Sequence, residues 1–458
     1  MLPAGGKGGS LAMKRKKRGL KLSATQIIAV VFALIILCGT LLLMLPAASK
    51  SGKSAHFLDA LFTATSATCV TGLVPFDTGS SWTVFGQAVI LTMIEIGGLG
   101  FMSVASLVVF LLRKKVGLKQ RMIMAQALSL NEMDGVVRLQ KWVLGGSLSI
   151  QLCAATVLFF RFLPRFGPGK AAWYGVFHAV SAFCNAGFDI FGYGDSIVQL
   201  NRDPVVCVTL MLLVVVGGLG FFVWEEVVRV RHFKKFSVYT KLVLLASLAL
   251  TLGGTVAFCV LEWNRPTMAG MDWCTKLLNG FYQSVTVRTA GFDAMGQGVL
   301  SDASKGVSMV LMLIGGSSGS TAGGVKTVTM VVLVLFLWAR ARGRSTVCVF
   351  KRNMPRDKVL DAMTIVGIMV VLAVFGAVFI SATSPISFTD GLFEAVSALA
   401  TVGLTTGATG LLSVPARVLI IVYMYFGRVG VLTLSLGFLM GDRAEERFQY
   451  ADTNLLIG

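Results

Sequence analysis

Four glycines, Gly72, Gly187, Gly291 and Gly403, occupy the same place in four short segments that match one another. In each segment a phenylalanine stands ten positions before the glycine, and a large apolar residue directly follows the glycine. Glycine adopts backbone angles at which other residues clash, so the carbonyl groups around it can be turned to one side. Rings of backbone carbonyls replace the water shell of a monovalent cation. The four segments therefore predict a cation filter built from backbone oxygens.

The predicted filter is made of the three residues that end at each glycine. These are Val70, Thr71 and Gly72; Asn185, Ala186 and Gly187; Thr289, Ala290 and Gly291; and Thr401, Val402 and Gly403. A short helix before each tripeptide would direct the partly negative end of its dipole towards the cation.

Three charged residues lie beside the predicted filter. Asp189 and Asp293 each stand two positions after a filter glycine. They either raise the cation concentration at the outer mouth or hydrogen-bond the amides of their own loops, and both interpretations stay open. Arg288 immediately precedes the third tripeptide. We expect its side chain to point away from the pore axis and to pair with an acidic loop residue.

A glycine pair recurs in the apolar segment after each loop, beginning at Gly97, Gly217 and Gly315, and the fourth copy reads Gly427-Arg428. Glycines let membrane helices approach one another closely, so the pairs predict a packing face. The third copy continues as a glycine-rich run. Each glycine in a regular helix costs about 1 kcal/mol of stability relative to alanine. The run therefore predicts an interrupted helix, of which a kink between two half-helices is the simplest form. It comprises Gly315, Gly316, Ser317, Ser318, Gly319, Ser320, Thr321, Ala322, Gly323, Gly324 and Val325, and we expect the next residue, Lys326, to extend towards the cytoplasm.

The elements that must position these loops are long apolar spans. We count eight, at approximately 25–46, 84–112, 141–163, 204–228, 239–262, 306–338, 359–382 and 414–441. Four weaker stretches, beginning near Phe57, Ala172, Thr275 and Phe388, are too short to cross a bilayer and predict re-entrant segments.

The predicted fold is an all-α integral membrane protein in which four helix–loop–helix repeats with eight transmembrane helices surround a central pore. The predicted repeats are 25–115, 141–228, 239–340 and 359–441, with a tail of residues 1–24 before them and a tail of residues 442–458 after them.

Composition agrees with a membrane protein, since hydrophobic residues make up 55% of the 458 residues and charged residues only 14%. A soluble domain carries about 25% charged residues. The net charge of +19 is concentrated at 14–21, 113–121, 229–241 and 340–358, between apolar spans. That distribution predicts cytoplasmic loops and cytoplasmic termini, with attraction to anionic lipid headgroups, and argues against nucleic-acid binding. The eight cysteines show no metal-ligand spacing and predict no disulfide framework.

Two other classes of function fit the sequence poorly. The segment from Gly319 to Thr327 resembles a phosphate-binding loop, but Val325 adds one residue before Lys326 and the segment lies inside an apolar span. The chain has only three histidines and no repeated carboxylate pair, which argues against a membrane-embedded enzyme. We therefore predict no enzymatic activity and no cofactor.

The four loops, and the Thr-Ala-Gly-Phe and Asn-Ala-Gly-Phe strings above all, resemble the Trk/Ktr/HKT superfamily of potassium transporters over nearly the whole chain. Eight spans and a short N-terminus are most similar to the Ktr-type membrane subunit. The resemblance implies K⁺ bound at the filter residues, with the four glycines favouring potassium over sodium. A sodium-translocating or Na⁺/K⁺-coupled transporter of the same fold is the alternative.

The resemblance also implies a gate and partners. The run 315–325 is similar to an intramembrane loop that acts as a gate under the filter, and Arg428 is similar to an arginine near that loop. It further implies a homodimer in the cell membrane and a separate cytosolic nucleotide-binding ring that docks on the basic loops at 113–121 and 229–241. Neither partner follows from the residue pattern itself.

Overall fold

A computed structural model of the chain describes residues 24–100, 136–344 and 346–430, and nearly all of its regular structure is helical. The α-helices are Ala24–Leu43, Phe57–Cys69, Thr78–Ser81, Val84–Leu99, Val136–Phe183, Pro204–Leu219, Phe221–Val230, Val238–Glu262, Trp273–Thr286, Asp302–Leu313, Thr327–Ala341, Arg356–Thr383, Phe388–Leu399 and Val414–Tyr425. A π-helical turn covers Phe426–Gly430, and strands Cys348–Val349 and Arg352–Asn353 pair antiparallel in a hairpin.

A short helix precedes each of the four glycine loops. Short helices 1, 3 and 4 are Phe57–Cys69, Trp273–Thr286 and Phe388–Leu399, and short helix 2 is the part of Val136–Phe183 that lies after Gly167. A positive φ of 75° at Gly167, between Pro164 and Pro168, separates this part from the long helix before it. All four short stretches expected from the sequence are thus helical at their C-terminal ends.

A second helix follows each loop: following helices 1 to 4 are Val84–Leu99, Pro204–Leu219, Asp302–Leu313 and Val414–Tyr425. Each begins after a capping residue whose side chain accepts a hydrogen bond from a backbone amide in the first turn of the helix. The capping residues are Thr83, Asp203, Ser301 and Ser413, in that order. Following helices 2, 3 and 4 pack against short helices 3, 4 and 1. These contacts link the last glycine loop to the first, so the elements form a closed ring.

The number of membrane spans is smaller in the described residues than the eight expected. Four single helices are long and apolar enough to cross a membrane, and Pro204–Leu219 with Phe221–Val230 makes a fifth if the pair, bent by 93°, counts as one span. The predicted span 306–338 is interrupted, because its helix ends at Leu313 and resumes at Thr327. The predicted spans 84–112 and 414–441 run beyond the described residues, as do both tails and parts of the first and fourth repeats.

Candidate functional site

The structure brings the four glycines together at the centre of the ring. A Cβ built on Gly187 would lie 2.7 Å from the Cα of Gly291, and one on Gly291 would lie 3.3 Å from the Cα of Gly403. A Cβ on Gly403 would lie 2.9 Å from the Cα of Gly72, and one on Gly72 would lie 3.3 Å from the Cα of Gly187. The four loops therefore approach so closely that a side chain at any of the four positions would enter a neighbouring loop.

The added Cβ atoms would also meet carbonyl oxygens in a regular order around the ring. Each glycine faces the carbonyl of the residue just before the glycine of a neighbouring loop. The pairs are Gly72 with Ala186, Gly187 with Ala290, Gly291 with Val402, and Gly403 with Thr71. Carbonyl oxygens from all four loops thus converge on one small region, which is the arrangement a cation cage requires.

Each loop repeats the same unusual backbone. The first residue of each tripeptide has a positive φ, with values of 58°, 59°, 66° and 50° at Val70, Asn185, Thr289 and Thr401. The four glycines also have positive φ, between 68° at Gly187 and 99° at Gly72. Left-handed angles at non-glycine residues cost free energy, and they persist only where the surrounding structure holds them. Every tripeptide has two left-handed positions, so the four loops share the same constrained backbone conformation.

Hydroxyl groups of the short helices hold these loops in two ways. The hydroxyls of Ser66 and Ser397 accept hydrogen bonds from the amides of Gly72 and Gly403, at 3.0 Å and 3.1 Å. Ser181 and Thr286 instead donate to the carbonyls of Phe188 and Phe292, both at 2.7 Å. The sequence analysis did not identify these residues. A signal was present, since Ser66, Ser181 and Ser397 all stand six positions before the filter glycine.

The recurrent glycine pair is a packing contact, as the sequence predicts, and its partner is now identified. A Cβ on Gly97, Gly217 or Gly427 would overlap the carbonyl oxygen of Thr68, Phe183 or Leu399, each four residues before a filter glycine. Following helices 1 and 2 and the turn after helix 4 therefore touch the ends of short helices 1, 2 and 4. The third copy differs, because Gly315 meets the carbonyl of Gly323 in its own loop.

A vestibule of about 440 Å³ lies on one side of the glycine ring. The four glycines form its floor, and Asp77, Asp189, Asp195 and Asp293 are among its walls, with no lysine or arginine among the described residues that line it. An acidic concave surface concentrates cations at its mouth.

The two aspartates that share a register behave differently. Asp293 accepts hydrogen bonds from the amides of Met295, Gly296 and Gln297, at 2.8–3.0 Å, so it organises its own loop. One oxygen of Asp189 is buried with no hydrogen-bond partner among the described residues. Burial, and then the nearby Asp77 carboxylate, raise the pKa of Asp189 to about 7. Asp189 accepts hydrogen bonds from the Phe191 amide and the Ser196 hydroxyl, so the structural interpretation fits both aspartates, and the effect of Asp189 on the local cation concentration stays a prediction.

The glycine-rich run lies on the other side of the ring, and residues 314–326 are not helical. Three hydrogen bonds close its base: Gly315 N to Val325 O (2.8 Å), Thr327 N to Gly316 O (3.1 Å), and the Thr327 hydroxyl to Gly315 O (2.7 Å). The helix break expected from the sequence is therefore a closed loop rather than a simple kink.

Loop 315–325 contacts the filter on the side opposite the vestibule. The Thr321 hydroxyl lies 3.2 Å from the carbonyl oxygen of Phe183 and 3.3 Å from the amide oxygen of Asn185. A Cβ on Gly323 would overlap the side chain of Thr401. The loop therefore contacts the first residue of two of the four tripeptides.

Arg428 fixes the loop to the rest of the ring. Its guanidinium donates to the carbonyl of Thr321 in the loop, and also to the carbonyls of Gly97 (2.6 Å) and Gly98 (3.2 Å) at the end of following helix 1. The partly negative C-terminal end of that helix favours the guanidinium charge. Arg428 lines a cavity of about 80 Å³ together with Lys326. The Lys326 ammonium donates to Ala322 O at 2.8 Å, and its extension towards the cytoplasm stays a prediction.

Arg288 lies beside the filter but not on its axis. Its guanidinium is 3.4 Å from the Ser247 carbonyl, the Ser247 hydroxyl and the Thr327 hydroxyl. It lines a separate cavity of about 240 Å³ together with Val214, Leu248 and Phe281. The side chain thus points away from the ring, as expected. The prediction that Arg288 pairs with an acidic residue is wrong for the described residues, because none of their ion pairs includes Arg288.

Polar contacts that the sequence analysis missed join consecutive repeats near the vestibule. Arg417 pairs with Asp59 at 2.9 Å, and Lys305 pairs with Asp390 at 3.0 Å. The Trp173 indole donates to Gln87 at 2.8 Å. Gln87, Lys305 and Arg417 each stand ten positions before the first glycine of the recurrent pair. That shared register was the available signal, although their partners depend on the order of the ring.

Residues 7–447 match the family model TrkH, which is described as a cation transport protein. The chain is 39% identical over 453 residues to the potassium/sodium uptake protein NtpJ of Enterococcus hirae, covering 98% of this chain and 100% of that protein. It is 37% identical over 440 residues to the Ktr system potassium uptake protein B of Bacillus subtilis, covering 96% and 98% of the two chains. The structure of the potassium transporter TrkH from Vibrio parahaemolyticus matches with a TM-score of 0.71 at 16% identity, over 92% of this chain and 86% of that one, so the fold is shared.

Proposed function

This chain belongs to the TrkH family of cation transport proteins, and from that premise we propose that it is the potassium-translocating membrane subunit of a cation uptake system. The family consists of transporters, so the chain is not an enzyme. The observation that carries the proposal is the ring of Gly72, Gly187, Gly291 and Gly403, in which carbonyl groups from four loops converge.

In the proposed mechanism a cation enters the vestibule, where Asp189 and its neighbours raise the local cation concentration. The cation then exchanges its water for carbonyl oxygens of the tripeptides that end at the four glycines. The C-terminal ends of the four short helices add partly negative dipoles below the ring. No covalent step is involved, so transport depends on how closely the cage matches the dehydrated ion.

We propose that loop 315–325 is the gate of this path. The proposal is supported by the contacts of Thr321 with Asn185 and of Gly323 with Thr401, from which we infer that the loop obstructs the exit from the ring. Arg428 supports the obstructed state by binding Thr321 O and by placing a positive charge next to the path. Opening would require the loop to move away while its base, closed by Thr327, stays in place.

The proposed location is the cell membrane, with the vestibule on the extracellular side and both termini in the cytoplasm. The support is the distribution of basic residues: Arg229, Arg231, Lys234 and Lys235 stand between two apolar helices, away from the acidic vestibule. Positively charged loops remain on the cytoplasmic side of a membrane.

The proposed partners follow from the named relatives. The Bacillus subtilis relative is named a protein of a Ktr system, which supports a system of more than one component; the cytosolic nucleotide-binding ring and the homodimer are proposed from the family resemblance of the sequence. We place the ring on the basic segments 113–121, outside the described residues, and 229–241. The four predicted repeats, 25–115, 141–228, 239–340 and 359–441, would each supply one quarter of the pore.

A sodium-translocating or Na⁺/K⁺-coupled transporter of the same fold is the second candidate. One comparison favours it, since the Enterococcus hirae relative is named a potassium/sodium uptake protein. Carbonyl cages distinguish the two ions through the number, field and flexibility of their oxygens.

The test is cation flux into vesicles that contain only this purified chain, with rubidium, potassium and sodium compared. Rubidium and potassium flux well above sodium supports the potassium filter, and equal sodium flux supports the second candidate. The same assay on a variant with loop 315–325 shortened tests the gate, because removal of the obstruction should raise flux without changing the ratio of rubidium to sodium. Absence of flux in both proteins would contradict a pore in this chain.

A further inference from the structure

The tip of loop 315–325 is held from the side opposite the filter by two hydrogen bonds. The Tyr239 hydroxyl donates to the carbonyl of Ser318 at 3.0 Å. The backbone amide of Phe221 donates to the carbonyl of Gly319 at 2.9 Å. The two donors stand at the first turns of helices Val238–Glu262 and Phe221–Val230, which are consecutive in the chain. Both helices therefore contact the tip through their first turns.

The middle of Phe221–Val230 is also joined to the start of Val238–Glu262. Glu226, in Phe221–Val230, accepts hydrogen bonds from the amide and the hydroxyl of Ser237, both at 2.7 Å, and from the hydroxyl of Thr240. Carboxylate hydrogen bonds of this kind are stronger than those between neutral groups. A displacement of either helix is thus transmitted to the other, and through it to the tip of the loop.

The segment between the helices is basic and exposed. Arg231, Lys234 and Lys235 belong to it, Arg229 precedes it in the last turn of Phe221–Val230, and Lys241 continues the positive charge into the next helix. The Lys241 ammonium donates to Lys234 O at 2.8 Å and lies 5.8 Å from the ring of Phe350, in the hairpin of Cys348–Val349 and Arg352–Asn353. The basic segment therefore continues directly into the first turn of Val238–Glu262, which carries Tyr239.

We propose that Tyr239 is a positioning residue that holds the tip of the gate loop in the obstructing position and connects it to the basic segment 229–241. The proposal rests on the proposed function, since it takes loop 315–325 as the gate.

Two other tyrosines in the described residues make the same kind of bond elsewhere. Tyr423 donates to Leu372 O and Tyr425 donates to Ala29 O, both at 2.7 Å. Neither acceptor lies in loop 315–325. Tyr423 provides the matched control, because Y423F also removes one hydroxyl and one bond to a helix carbonyl, away from the gate.

The experiment measures resting rubidium and sodium flux in vesicles for the full chain, Y239F, Y423F and the variant with loop 315–325 shortened. The net value of one hydrogen bond predicts that Y239F raises resting rubidium flux about 2- to 12-fold where the obstructed state predominates. The ratio of rubidium to sodium should stay unchanged, and Y423F should match the parent protein.

Two results would overturn the proposal, and they are distinguishable from failure of the gate itself. If the shortened loop raises flux and Y239F does not, the gate stands and the role of Tyr239 falls. If Y239F changes the ratio of rubidium to sodium as well as the flux, the substitution acts on the filter and the proposal is wrong. If the shortened loop also leaves flux unchanged, it is the proposed gate that fails.

Hydrogen exchange gives a readout that does not depend on flux. The amides of Ser317, Thr321 and Phe221 are hydrogen-bonded in the contacts that hold the loop, to Gly218 O, Gly217 O and Gly319 O. Y239F should speed exchange at these three amides by about the same 2- to 12-fold, with no change at Gly403. Unchanged exchange at all three in a well-folded Y239F protein would also overturn the proposal.

Discussion

The substitution Gly403→Ser tests the filter most directly, because the structure defines what a side chain would meet there. Gly403 has a φ of 95°, a conformation that L-residues rarely adopt. A Cβ at this position would overlap Thr71 O and lie 2.9 Å from the Cα of Gly72. The substitution thus combines backbone strain of about 1–3 kcal/mol with a collision between the first and fourth loops.

The size of the displacement follows from contact distances. Carbon atoms pack at about 3.5–4.0 Å, so 2.9 Å at Gly403 requires the two loops to separate by roughly 0.6–1.1 Å. A preorganised site tolerates errors of about 0.5 Å. Since a tenfold change in an equilibrium constant corresponds to about 1.4 kcal/mol, even part of the strain suffices to reduce discrimination between potassium and sodium by about tenfold.

The assay is the ratio of rubidium to sodium flux in vesicles, measured beside Gly270→Ser as a control. Gly270 also has a positive φ, of 68°, but nothing lies within 4 Å of its Cβ position. That control carries backbone strain without a collision and should keep the parent ratio. The reasoning is refuted if G403S, present in the membrane in equal amount and with an equal melting temperature, keeps the ratio of the parent protein within about twofold, which corresponds to about 0.4 kcal/mol.

Three further outcomes are expected. Arg417→Gln and Asp59→Asn should show a coupling of up to about 1 kcal/mol in a double-mutant cycle of thermal unfolding, because the paired side chains are only 23% and 21% exposed; additive effects would exclude the pair as a link between repeats. The pKa of Asp189, raised to about 7, means that its carboxylate is charged above that pH and neutral below it. Flux at low ionic strength should therefore fall as the vestibule-side pH decreases from 8 to 6, and Asp189→Asn should flatten that profile; an unaltered profile in the variant would assign the titration to another group. Ser397→Ala should leave the Gly403 amide without its acceptor at 3.1 Å, at a cost of about 1–3 kcal/mol, and lower the ratio of rubidium to sodium flux; a parental ratio would show that this bond does not support the filter.

The sequence predicts features that depend on local, repeated patterns. Gly72, Gly187, Gly291 and Gly403 adopt positive φ because each loop turns back at a fixed distance from a helix. Each copy shows this requirement within its own segment of the sequence. The helix break at 315–325 was predictable for the same reason, since glycine content alone opposes a regular helix there.

Features that depend on the order of the ring could not be predicted in this way. The pair Arg417–Asp59 joins residues 358 positions apart, and only closure of the fourth repeat on the first brings them together. Asp189 and Asp293 share a register but differ in partners, because the turn after Asp293 presents three amides to its carboxylate. Neither the Arg417–Asp59 pair nor the different partners of Asp189 and Asp293 can be predicted from the spacing of the residues.

The third repeat departs from the other three in the contact that joins its following helix to its short helix. Gly97, Gly217 and Gly427 lie against the carbonyls of Thr68, Phe183 and Leu399, so movement of those elements would press directly on the filter loops. The nearest neighbour of Gly315 is instead a carbonyl of its own loop, and the helix before it ends at Leu313. A gate has to move without deforming the cage above it. The third repeat suits the proposed gate in this respect, because Gly315 does not lie against the end of a short helix and the loop instead meets the filter through Thr321 and Gly323.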